Sequence, residues 1–224
     1  MTTKRRRATR GSGEQLREEI VVAAKKLLAE AGHADEVSIR AVADAVGVTP
    51  PSIYLHFADK SDLLGAVVAD TFRELDDAML SGAAEADSPM ARLRAFGMSY
   101  VRFAVAHPEH YRLAAMDPCP RPNIEVDDVL RSSAFEHFNQ TVVECIEAGL
   151  FAGDDPLPIT FALWATAHGV ASLVIAKPYL PWGDIDEFTD RVLCAAATGH
   201  AVAALFDAPP SPESLTTWIM SQRA

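Results

Sequence analysis

Cysteine is scarce, with three in 224 residues (Cys119, Cys145 and Cys194). No C-x-x-C pair occurs, which excludes a disulfide framework and a cysteine-built zinc cage and points to a reducing compartment. Strand punctuation is missing too: no alternating run is broken by Asn-Gly or Asp-Gly as a hairpin requires. There is no P-loop, no G-x-G-x-x-G and no Ser-His-Asp spacing, so neither enzyme chemistry nor a cofactor has support. His107-x-x-His110 is the one spacing suggestive of a metal, but Pro108 interrupts its helix and no third ligand stands in register, so no metal is assigned. Internal repeats and low-complexity tracts are absent. What remains is a chain 49% hydrophobic and 23% charged, enough for one sizeable core or two small ones.

Positive charge is also in short supply, the net charge being −11, and its distribution is informative. Residues 1–60 carry ten Lys/Arg and eight Asp/Glu, whereas the remainder carries ten against twenty-three. Half of the early cations (Lys4, Arg5, Arg6, Arg7, Arg10) stand in the first ten residues. Such a block is expected to stay disordered by self-repulsion until it meets an anion, phosphate above all. The alternative is a solvated tail that aids solubility. No apolar core or small-residue cleavage site follows it, so it does not read as a signal peptide, and a cytoplasmic location is expected.

The punctuation predicts an all-α chain of about nine or ten helices. A first helix runs from about Glu14 to Ala31, with Gly32 as its carboxy-terminal cap. Ser38 caps a second, Ile39 to Val46, closed by Gly47. Thr49 is expected to cap a short third helix, which opens on Pro50 and Pro51 and ends near Phe57. Asp59 caps a long fourth. Ser88-Pro89 starts a fifth that stops before Pro108; a sixth reaches about Ala115, and a seventh covers about Ile124 to Ala148. From Pro156 to Ala176 no side chain is formally charged, and after the cap at Asp184 the run VLCAAATGHAVAALF is again uncharged. A stretch near twenty apolar residues meets the length of a membrane span. Thr160, Thr166, His168, Gly169 and Ser172, and the lack of a flanking positive cluster, favour helices buried twice, against their own domain and against a second subunit.

Residues 38–64, SIRAVADAVGVTPPSIYLHFADKSDLL, form a helix-turn-helix whose second helix can enter a major groove. The stretch resembles the DNA-binding domain of the TetR family of one-component bacterial repressors. Ser38-Ile39-Arg40, Val42-Ala43, Gly47-Val48-Thr49, Ile53-Tyr54-x-His56-Phe57 and Lys60-x-x-Leu63-Leu64 carry the likeness. Further on, Trp164-x-x-x-His168-Gly169 resembles a pattern in one subgroup of the family's regulatory domains. The resemblance implies a homodimeric all-helical regulator. It would have a basic arm (1–13), a helix-turn-helix domain (14–60) and a larger helical effector-binding and dimerisation domain (61–224), dimerised through the last two long helices.

Ile53 and Phe57, four apart, are read as core rather than contacts, because a unit this small needs every large apolar side chain it has. By resemblance Tyr54 and His56 donate to phosphates, which fixes register without reading bases. Lys60 in a first helical turn stands against the helix dipole, and a phosphate would account for it. Base reading then falls to Thr49, Pro50, Pro51, Ser52 and Leu55, with Arg40 from the second helix. Only Arg40 can grip a guanine by two hydrogen bonds; Pro50, Pro51 and Leu55 suit thymine methyls. Many relatives carry Lys-Gly or Arg-Gly in place of Pro50-Pro51, so their operators do not transfer. The arm, Lys4 to Arg7, is assigned to a flanking minor groove.

For an effector, Tyr100, Phe103, Tyr111, Phe138, Trp164 and His168 are the candidate lining of an apolar cavity with a few polar tips. The same residues could serve as ordinary core. The function expected is a ligand-responsive repressor that binds a palindromic operator in double-stranded DNA and is released by a small apolar effector. The alternatives are a DNA-binding regulator with no effector and a helical enzyme or carrier with a vestigial helix-turn-helix.

Overall fold

A computed structural model describes residues 12–116, 134–206 and 210–223. The basic arm from Lys4 to Arg10, Cys119, and the expected start of the seventh helix near Ile124 lie outside the described residues. Among those described, every regular element is helical, as the punctuation predicts. The α-helices are α1 (Ser12–Ala31), α2 (Ile39–Val46), α3 (Pro50–Ile53), α4 (Lys60–Gly82), α5 (Pro89–Ala106), α6 (Pro108–Tyr111), α7 (Ala134–Glu147), α8 (Leu157–Ala176), α9 (Ile185–Ala203) and α10 (Pro212–Ser221). A 3₁₀ turn (Ala34–Glu36) precedes α2, and a π turn (Arg112–Met116) extends α6.

Local chemistry sets these boundaries. Ser38 Oγ accepts from the Ala41 N–H at 3.1 Å, and α2 ends at Gly47 with φ +77°. Its N–H and that of Val48 close back on the Ala43 carbonyl, both at 2.9 Å, the left-handed termination that glycine adopts without strain. At the head of α4, Asp59 Oδ1 accepts from the Asp62 N–H and Asp62 Oδ2 accepts from the Ala58 N–H. This reciprocal box satisfies two otherwise orphaned donors. Asp184 caps α9 by accepting from the Glu187 N–H at 2.8 Å.

Two expectations need correction. Thr49 precedes α3 but its side chain caps no backbone N–H. Pro50 and Pro51 have none to offer, and the Ser52 N–H is already held by the Thr49 carbonyl at 2.8 Å. The Thr49 hydroxyl pairs instead with Ser52 Oγ at 3.0 Å. Nor does α3 reach Phe57: it stops at Ile53, and Tyr54 to His56 follow as turns.

The described residues divide into two compact units, one of residues up to Asp77 with 103–116, the other of 78–102 with those from Phe135 onward. The first is built on Ile20, Leu28, Val42, Ile53, Phe57 and Leu63, all nearly inaccessible. The second packs Phe96, Phe138, Val142, Leu163 and Val170. Both α4 and α5 run from one unit into the other along the chain.

Candidate functional site

In the first unit the apolar residues of the helix-turn-helix divide by face. Val42 and Ala43 of α2, Ile53 of α3 and the following Phe57 all turn inward, as the four-residue spacing predicts. With those side chains consumed by the core, Leu55 is left 84% exposed and Tyr54 54% exposed. Arg40, Thr49 and Pro51 are also exposed, while Pro50, Ser52, His56 and Lys60 are half-buried. Two adjacent large apolar side chains held out in water by a rigid turn cost solvation without a packing return, which suits a surface that becomes covered.

Supporting contacts keep that face in place. The Arg17 guanidinium lies 5.1 Å from the centre of the Phe57 ring, a cation–π contact that ties α1 to the recognition turn. Lys60 Nζ donates to the Asp35 carbonyl at 3.0 Å, so the 3₁₀ turn already offers its charge an acceptor at the positive end of α4. Behind them, Lys25 is a buried cation, 7% exposed. It pairs with Asp70 at 2.8 Å and Glu74 at 2.6 Å on α4. Its carbonyl also meets His110 Nε2 of α6 at 2.9 Å. A buried ammonium needs such partners, and the arrangement joins α1, α4 and α6. No group of three potential metal ligands occurs among the described residues, and the rings of His107 and His110 stack 5.9 Å apart.

The second unit contains a cavity of about 270 Å³. Its walls are Met79 from α4, Phe96, Gly97 and Tyr100 from α5, Phe138 from α7, Leu163, Trp164 and Ala167 from α8, and Leu193 and Ala197 from α9. Gly97 permits close approach of α5 to α9, since a Cβ there would stand 2.7 Å from Leu193 Cδ1. Polar atoms are few. The Tyr100 hydroxyl and His168 Nδ1 are 3.3 Å apart, and burial holds the His168 imidazole below its ordinary pKa. At another corner stand Arg94, Cys194 and Thr198.

Of the six aromatic and histidine side chains named from sequence, Tyr100, Phe138 and Trp164 line this cavity. His168 meets the Tyr100 hydroxyl but is not itself part of the wall. Phe103 and Tyr111 do not line it; both are buried within the first unit. Met79, Met90, Gly97, Leu193 and Thr198 were not legible beforehand, because a methionine or leucine in a wall and one in solid core follow the same helical spacing.

Along α8, Leu157, Phe161, Trp164 and Leu173 remain substantially exposed. This helix is long and apolar enough to cross a membrane by length and composition.

Two family models match the chain. One, of bacterial regulatory proteins of the tetR family, covers residues 20–67; the other, a tetracyclin repressor-like C-terminal domain, covers residues 93–196. Among solved structures, a protein with unknown function from Rhodococcus sp. RHA1 is 28% identical with a TM-score of 0.72, over 83% of this chain and 95% of that one. The fatty acid degradation regulator FadR from Bacillus halodurans is 18% identical with a TM-score of 0.66, over 86% and 97%. RolR, solved with its ligand resorcinol, is 19% identical with a TM-score of 0.63, over 89% and 97%. No curated protein matches.

Proposed function

We propose, because this chain belongs to the TetR family of bacterial regulatory proteins, that it is a cytoplasmic, ligand-responsive repressor that binds a palindromic operator as a homodimer. The observation that carries the reading is the helix-turn-helix with Ile53 and Phe57 sealed inside and Tyr54 and Leu55 held out in solvent. Tyr54, His56 and Lys60 position the protein on phosphates. Thr49, Pro50, Pro51, Ser52 and Leu55 face base edges, thymine methyls chief among them, and Arg40 is the one bidentate donor. The arm with Lys4, Arg5, Arg6 and Arg7 follows a flanking minor groove.

Two recognition helices related by a two-fold axis enter successive major grooves when about 34 Å apart. Dimerisation through α8 and α9 would cover the exposed apolar side chains of α8. The cavity favours an effector-responsive regulator over one without an effector. A small apolar molecule there, bound only by the conformation with the wrong spacing, draws the population off DNA. Since α4 and α5 each belong to both units, they are the physical links available. A coupling of ~1–3 kcal/mol gives roughly 5- to 150-fold regulation.

The test is an operator footprint followed by replacement of each thymine by uracil. Loss of affinity at two symmetric sets of thymines is expected. No loss at any position would overturn the assignment of Leu55 and the two prolines to methyl contacts.

A further inference from the structure

The cavity of the second unit has an ion pair at its rim. All three arginines of α5 are engaged: Arg92 with Glu144, Arg94 with Asp190 and Arg102 with Asp186. Of these, Arg94 alone borders the cavity, and its Nε donates to Asp190 Oδ1 at 2.5 Å. The hydrogen bond from Arg94 holds the Asp190 carboxyl below its usual range, so the carboxylate stays charged. Cys194, also in the wall, donates to the same oxygen at 3.5 Å. The rim therefore offers a guanidinium that is already paired, so it has little net charge left to attract an anion.

The surroundings act in the same direction. Residues 78–102 and 135–224 carry six Lys/Arg against thirteen Asp/Glu, a field that lowers the local concentration of anions. Inside, the walls are almost wholly hydrocarbon, and an ionised group without a partner there would be penalised by desolvation. As for size, a dry apolar cavity of about 150 Å³ admits benzene, and this one holds nearly twice that volume.

We propose that the cavity takes an uncharged, largely hydrocarbon ligand of about the size of two fused rings, and that Asp190, by occupying Arg94, is the residue that turns carboxylates away. This deepens the reading of the cavity as the effector site and rests on it. Asp190 acts on specificity through Arg94; removing its charge should leave a free guanidinium at the rim and erase most of the preference.

The experiment is calorimetric titration of the full-length protein, near neutral pH, with 2-naphthalenemethanol and with 2-naphthoate, matched in size and opposite in charge state. The wild-type chain is expected to bind the alcohol at least about tenfold more tightly than the carboxylate. In Asp190→Asn the naphthoate should gain until the two agree within about threefold. Ala197→Phe, which fills the cavity, should abolish both; Ala167→Leu serves if that variant does not fold. Equal or tighter naphthoate binding by the wild type, an unchanged ratio in Asp190→Asn, or binding of neither probe would overturn the proposal. DNA retention measured on the same samples separates the two levels. Selective alcohol binding with no effect on retention removes the effector reading and leaves the charge preference standing.

Discussion

Leu55 is a residue whose exposure and identity disagree, and that disagreement makes it the sharpest probe of the interface. Because its side chain is 84% exposed, Leu55→Ala should change folding stability by less than about 0.5 kcal/mol. If it meets a thymine methyl, the same change should cost about 1–2 kcal/mol of operator affinity, since each apolar carbon withdrawn from water is worth about 0.8 kcal/mol. Thermal unfolding and band-shift titration on one sample check both halves. A residue of the opposite kind is Thr189, whose buried hydroxyl has no hydrogen-bond partner among the described residues. Thr189→Val removes a desolvated polar atom while keeping the branched shape, so it should stabilise the protein by about 1 kcal/mol. Unchanged or lower stability in urea unfolding would show that the hydroxyl has found a partner. Only one of these two features could be read from spacing. The outward turn of Leu55 follows from Ile53 and Phe57 turning inward, which was legible. The isolation of Thr189 depends on what packs against α9, which was not.

At the scale of elements, the turn between α2 and α3 depends on one backbone conformation. Gly47 has φ +77°, and a Cβ at that position would meet no heavy atom within 4 Å. The cost of Gly47→Ala is therefore conformational rather than steric crowding by neighbours, about 1–2 kcal/mol. Denaturant unfolding should show that loss with an unchanged slope. Helices α8 and α9 each carry one half-buried histidine, His168 and His200, and burial lowers the pKa of both. A folded-state pKa below the unfolded value means that the unfolded chain binds more protons, so stability rises with pH through this range. The contribution is complete above the ordinary histidine value of about 6.5 and is lost as pH falls through the depressed folded values. The melting temperature of the wild type should accordingly fall more steeply between about pH 7 and 5 than that of a His168→Gln, His200→Gln double variant. Parallel curves would contradict the assignment. Caps at Ser38, Asp59 and Asp184 and the stop at Gly47 were legible because each is set within a few residues. The early end of α3 was missed because Ile53 and Phe57 keep a helical four-residue spacing, and an N–H to carbonyl bond of that span, across the turns from Tyr54 to His56; the cap was missed because Thr49 reads as one until the two missing proline N–H groups are counted. The helix α10 was missed although Ser211-Pro212 repeats the Ser88-Pro89 signal that opens α5.

For the whole molecule, the unequal division of charge along the chain and the helix-turn-helix were enough to indicate a nucleic-acid partner. Part of the cavity was legible, since Tyr100, Phe138 and Trp164 were named from sequence and line it; its rim was not, because it pairs residues as distant as Arg94 and Asp190, and nothing local in either marks the other. The central claim is that an apolar-fronted recognition turn and a basic arm together give sequence-specific binding by two protomers. Its most direct test is titration of the full chain, over a range of salt, onto the intergenic DNA beside its own gene, in parallel with a chain lacking residues 1–12. The account expects a specific complex with two protomers, or a multiple, per site. It also expects a shallower dependence of log affinity on log salt for the truncated chain, since each lost phosphate contact removes about 0.9 from the slope. No sequence-specific complex at any salt, neither there nor among genomic fragments selected for binding, would contradict it.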